Sequence, residues 1–153
     1  MAPILNDHNK EEFPPAHTAE HLLNQTMIRL FGCERSHNAH IERKKSKMSF
    51  YLDHKPTRQE EKDIERMMNE LIDEDLPVTF EFVTRDNLPD GVSADRLPED
   101  ASDTIRLVRI GDYDVCPCIG KHVRSTSQIG RFEMLGTNWD EQEHSFRVRF
   151  KIV

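Results

Sequence analysis

Four side chains able to hold a metal ion fall into two short pairs. His17 and His21 stand four residues apart, a spacing that on a helix puts both imidazoles on one face about one turn apart. Cys118 and His122 flank Ile119-Gly120-Lys121, where glycine lets the backbone turn tightly enough to aim both donors at one point. Imidazole nitrogen combined with thiolate sulfur suits zinc better than magnesium or calcium, which favour oxygen donors. His17 to His21 also reads His-Thr-Ala-Glu-His, the pattern of inverted zinc proteases in which the glutamate is the general base. Such a protease needs a further ligand and a cleft on a larger scaffold, and the chain offers a Cys/His pair instead. Glu20 is then a helix-surface acid or a proton-handling group beside the metal.

The chain that must bring these pairs together has 153 residues, enough for one domain with a buried core. No apolar run is long enough for a transmembrane helix, and Met1 to Phe13 lacks the apolar stretch of a signal peptide. A cytoplasmic protein with no membrane partner is expected. Cys33, Cys116 and Cys118 form an odd set, which favours metal binding or burial over a disulfide framework. Cys116 is a spare ligand or a neutral bystander. The net charge of −7, from 21 basic and 28 acidic residues, argues against tight nonspecific nucleic-acid binding, DNA included. It leaves room for a locally basic face that touches RNA. One basic cluster is Arg43, Lys44, Lys45 and Lys47, and a second is Lys121, Arg124 and Arg131 beside the candidate metal loop.

Residues 1–13 read as a loose lead-in, and 14–153 as a single metal-binding domain. The spacing of Leu22, Leu23, Met27, Leu30 and Phe31 predicts a helix from Ala16 to Phe31, stopped by Gly32. Residues 38–42 and 47–53 read as a strand pair, the second with Met48, Phe50 and Leu52 at period two. Thr57 with Glu60 forms a capping box for a second helix carrying Ile64, Met67, Met68, Leu71 and Ile72. Further strands are expected at 77–84, with Val78, Phe80 and Phe82 on one face, and at 104–110, 130–136 and 145–153. Pro89, Gly91 and Pro98 mark 85–103 as an irregular surface excursion. The sum is an α+β fold, a two-layer domain of antiparallel sheet packed with two long helices.

The motifs resemble a known family. HTAEHLL, from His17 to Leu23, is similar to the first motif of the editing domain of alanyl-tRNA synthetases and of the free-standing AlaX proteins. IGDYDVCPCIGKHVRSTSQIGRFEML resembles their second motif, and the order holds over roughly residues 16–135. The resemblance implies a trans-editing deacylase that hydrolyses the ester of a mischarged tRNA, chiefly seryl-tRNA for alanine. It implies zinc on His17, His21, Cys118 and His122, and a helix-plus-antiparallel-sheet fold shared with threonyl-tRNA synthetase. The related threonyl editing domain, acting on seryl-tRNA for threonine, shares the run from His122 to Ile129. A zinc-stabilised RNA- or protein-binding module without catalysis is a further reading. The family's glutamine-containing stretch after the first helix is replaced here by Ser36 to His40, with His37 nearest the glutamine position. Thr18, His37 and Asn38 are the candidates for reading the substrate hydroxyl, because a site built to bond a hydroxyl rejects an analogue lacking it. Lys121 and Arg124 are the candidates for contacting the tRNA acceptor end.

Overall fold

The computed structural model describes residues 12–92 and 104–153. Of the expected lead-in, only Glu12 and Phe13 fall within these residues, and 93–103 of the expected surface excursion lie outside them. Helix α1 (Pro14–Phe31) starts with prolines at its first positions, where the missing N–H is not needed, and ends on Gly32 at φ 67°. There the Gly32 amide closes the helix on the Ile28 carbonyl. Strands β1 (Asn38–His40) and β2 (Ser46–Tyr51) follow, then helix α2 (Arg58–Asp73). The Thr57 hydroxyl accepts from the Glu60 amide while the Glu60 carboxylate accepts from the Thr57 amide. This reciprocal cap satisfies two amides that the first turn would otherwise leave free. Thr57→Ala is expected to cost about 1 kcal/mol, seen as a fall of about 2–4 °C in a thermal melt; an unmoved melt would show that the cap carries no weight.

The remaining strands are β3 (Val78–Thr84), β4 (Thr104–Ile110), β5 (Asp114–Pro117), β6 (Phe132–Asp140) and β7 (Ser145–Ile152). All pairings are antiparallel, but they form two sheets rather than one: β1-β2-β7-β6 and β3-β4-β5. The α+β architecture with two long helices is as expected. Strand β5, which leads into the Cys118–His122 loop, is the strand that the second motif implies there; its four residues ending in proline are too short a run for period-two alternation to mark.

The core lies between the helices and the inner faces of the sheets. Phe50, Phe132, Phe146 and Phe150 are fully buried with Leu22, Leu23, Met27, Ile64 and Met68, each side chain adding roughly 1.5–3 kcal/mol of burial free energy. At two places apolar residues stand on the expected element or face yet are exposed. Leu30 is 37% exposed at the end of α1, and Phe80 and Phe82 are 47% and 69% exposed although they share a face with buried Val78. Strand β3 is the edge of its sheet, so only its first residue reaches the core. Among the described residues no helix is long and apolar enough to cross a membrane.

Candidate metal centre

The two His/Cys pairs come together. One ligand-type atom each from His17, His21, Cys118 and His122 lies within 4.8 Å of the others. His17 and His21 project from the first two turns of α1, and Cys118 follows directly on β5. His17 Nε2 is 3.3 Å and His122 Nε2 3.5 Å from Cys118 Sγ. A tetrahedral ion with Zn-like bonds to nitrogen and sulfur sets such donors about 3.3–3.6 Å apart, the separation that His17 and His122 each keep from Cys118.

The outer atoms of the imidazoles fit the same reading. His17 Nδ1 donates to the Lys121 carbonyl at 3.0 Å, which leaves Nε2 with its lone pair toward the cluster. His122 Nδ1 lies 2.9 Å from the buried Thr18 hydroxyl. His21 Nδ1 faces Asp114 Oδ2 at 3.7 Å, and both atoms are buried without a hydrogen bond. Each ring is thus oriented from behind by a carbonyl, a hydroxyl or a carboxylate, the arrangement that fixes tautomer and aim in metal sites. The four residues could hold a metal ion.

Electrostatics prepare the donors. Burial pushes the Cys118 thiol up, but contacts with His122, His17 and His21 outweigh it and hold the group at about 3. Burial lowers His21, yet Asp114 and Cys118 carry it to about 9. Asp114 is held below the usual carboxylate range: burial opposes ionisation, and His21, Arg35 and Gln25 overcome it. Arg35 Nη2 sits 2.5 Å and Gln25 Nε2 2.9 Å from Asp114 Oδ1. By contrast, burial, opposed by Arg35 and reinforced by the negative charges of Asp114, Cys118 and Glu20, raises the Cys116 thiol to about 11, so the neutral-bystander reading suits it.

The ligand loop is clamped through its backbone. Arg106 Nε donates to the Cys118 carbonyl at 2.8 Å, and its Nη2 donates to the Gly120 carbonyl. The Lys121 amide donates to Glu12 at 2.8 Å, and the Val123 amide to Thr18 at 3.2 Å. Phe80 lies under the Arg106 guanidinium at 4.4 Å and 6.3 Å from the His122 ring. Gly120 packs so tightly on His17 that a Cβ there would sit 2.8 Å from Nδ1 and closer still to Cε1.

A cleft of about 880 Å³ opens beside the cluster, lined by His17, Glu20, His21, Arg35, Tyr113 and Cys118 among others. Glu20 lies 3.9 Å from His17 Nε2 with 23% of its side chain exposed, and burial raises its carboxyl above the ordinary range. Of the candidate substrate-reading residues, Thr18 lies behind the cluster with its hydroxyl engaged by His122 and Val123. His37 and Asn38 do not line this cleft. They belong to a separate cavity with Tyr51, Trp139 and Arg147, because β1 joins the outer edge of the four-stranded sheet. The segment after α1 reaches the cleft through Arg35 instead. Lys121 and Arg124 are exposed next to the ligand loop. Sequence reasoning missed Asp114, Arg35, Arg106 and Glu12; only Asp114 carried a signal, as an acid inside the IGDYD run.

Residues 105–147 match the family model described as the threonyl and alanyl tRNA synthetase second additional domain. The chain is similar to the alanine–tRNA ligase of Treponema denticola, 31% identical over 129 residues, covering 84% of this chain and 21% of the relative. The Bacillus subtilis enzyme is 29% identical over 133 residues, 86% of this chain and 15% of the relative. For that of Oceanobacillus iheyensis the figures are 32% over 120 residues, 78% and 14%. The chain therefore spans about a fifth or less of the length of these relatives. Similarity over most of its own length, with the two motifs in order on an antiparallel α+β fold, places the chain in the editing-domain family of alanyl-tRNA synthetases.

Proposed function

We propose that this protein is an aminoacyl-tRNA deacylase that removes a wrong amino acid from tRNA at a zinc site, with seryl-tRNA for alanine as its substrate. The observation that carries the reading is the closed set of His17, His21, Cys118 and His122, each imidazole steered from behind, at the mouth of a cleft. When bound, zinc supplies Lewis-acid polarisation to a carbonyl or to water. The chain's own groups do the rest. Thr18 and Asp114 aim His122 and His21, while Arg106 and Glu12 hold the loop that carries Cys118. Glu20, at the cleft wall with a raised affinity for its proton, is placed to hold or receive the proton that ester hydrolysis moves. Lys121 and Arg124, exposed beside the Cys118–His122 loop, are the residues this reading assigns to the acceptor-end phosphates. A cytoplasmic setting goes with this reading.

The test is metal analysis followed by deacylation of seryl-tRNA for alanine and for threonine. Zinc-dependent turnover on the alanine tRNA, lost in Cys118→Ala and His21→Ala, is expected. Turnover only on the threonine tRNA would move the substrate to the related branch. One observation favours a second reading: four protein ligands leave no open position, the mark of a structural zinc. Bound zinc with no turnover on either tRNA would make the domain a noncatalytic module.

Two further results are expected. Zinc uptake near pH 7 releases a proton from His21, held near 9 in the free protein, and none from Cys118, already a thiolate. Apparent affinity therefore falls as pH drops; binding heats that do not vary with buffer ionisation enthalpy would contradict this. Lys121→Ala with Arg124→Ala should lower the salt slope of tRNA binding by about 1–2 with zinc content unchanged. An unaltered slope would remove these residues from the interface.

A further inference from the structure

The outer face of the four-stranded sheet carries a row of cations that nothing in the metal centre uses. Register places Lys47 of β2 directly opposite Arg149 of β7, and Arg147 on the same face of β7 opposite Ser49. Like charges directly opposite one another on an antiparallel pair oppose folding, and strand neighbours stand only about 4.8 Å apart. Among the described residues none of the three has a carboxylate partner, whereas Lys151, next along the face, is neutralised by Glu133 at 3.3 Å. Arg149 is held in place: a Cβ at Gly136, its opposite number on β6, would lie 2.6 Å from Nη2. Its Nε is buried with no hydrogen-bond partner. On a chain of net charge −7, this is a locally basic strip whose like charges face one another with no carboxylate paired to them among the described residues.

The strip runs into an aromatic end. The His37 ring stacks on Tyr51 at 3.8 Å between centroids, Tyr51 is 54% exposed, and both line the cavity of about 650 Å³ that Arg147 also borders. Asp140 and Glu143 rim that cavity and end the track of positive charge. Cations along a backbone path with an exposed aromatic platform are the features by which proteins hold RNA strands.

We infer that Lys47, Arg147 and Arg149 form a second RNA contact, binding tRNA phosphates on a face separate from the metal cleft, with the His37–Tyr51 stack beside them. This inference rests on the tRNA reading above, but its test does not need deacylation. The probe is an uncharged transcript of the tRNA for alanine, bound to the full chain across a salt series. In the variant carrying Lys47→Gln, Arg147→Gln and Arg149→Gln, the salt slope should shrink by about 2–3 and affinity fall at least about tenfold. Its melting temperature should equal or exceed the wild type's, because the self-repulsion is gone. Gly136→Ala, which keeps every charge but displaces the Arg149 guanidinium, should give a smaller loss in the same direction. Wild-type affinity and slope in the triple variant overturn the proposal, as does failure of the unmodified chain to bind the transcript. Equal affinity for polyglutamate overturns it too, and would make the face a dock for acidic protein. Transcript binding that depends on these residues, in a protein that deacylates neither tRNA, supports the contact while the deacylase reading fails.

Discussion

Gly120→Ala is expected to lower zinc affinity by about 100-fold or more, although the residue donates nothing to a metal. The added methyl would lie 2.8 Å from His17 Nδ1, closer to Cε1, and 3.2 Å from Glu12 Oε1. The loop cannot move aside, because Arg106 grips the carbonyls on both sides of Ile119 and Glu12 holds the next amide. The displaced group is therefore the His17 ring, and with it the hydrogen bond to the Lys121 carbonyl that sets its tautomer. Losing such an orienting contact costs about 10–100-fold in affinity, and here the ligand itself is displaced as well. Competition with a chromophoric chelator reads the result. Because Gly120 adjoins the core only through the loop, circular dichroism of the metal-free variant should match the parent. Full affinity in Gly120→Ala would mean the loop has slack that the hydrogen bonds do not suggest.

Asp114→Asn should be the second large effect, and it separates stability from metal binding. The Asp114 side chain is fully buried and meets His21, Arg35 and Gln25. Removing its charge leaves Arg35 facing a neutral group, and breaking a buried pair in this way costs about 3 kcal/mol. The pH dependence in the metal-free protein has two sides. Asp114 has a depressed folded pKa, so its contribution is complete above its unfolded value near 4 and is lost as pH falls through the folded one. His21 is raised to about 9, so its contribution is complete below about 6.5 and is lost as pH climbs through 9. The gap between wild type and Asp114→Asn should thus be widest between about pH 4 and 6.5. Urea melts at pH 3, 5.5 and 9.5 would show it, and a gap independent of pH would show the pair to be inert.

Local signals were legible before any coordinates, and relations between distant segments were not. The Thr57–Glu60 cap and the Gly32 stop are written in residues that touch one another. Met48 and Phe50 alternate because one face of β2 is buried. The same alternation at Val78, Phe80 and Phe82 identified a face but not its fate, since exposure depends on where the edge strand stops being covered. His37 and Asn38 were expected in the cleft because they fall where the family resemblance has its glutamine-containing stretch. Chain order does not reveal that β1 pairs with the outer edge of a separate sheet. His21 and Cys118 drew notice as ligand types, but Asp114 behind the one and Arg106 on the carbonyl of the other make contacts that only the folded chain creates.

The two halves of the cluster lie far apart along the chain: His17 and Cys118 are 101 residues apart. An ion bound by both would staple that interval shut. If the folded domain were pulled from its ends, that loop would stay out of the load path until the metal bonds broke, concealing roughly 330–360 Å of contour length at 3.3–3.6 Å per residue. The chain would then extend in two steps, and a chelator would merge them into one.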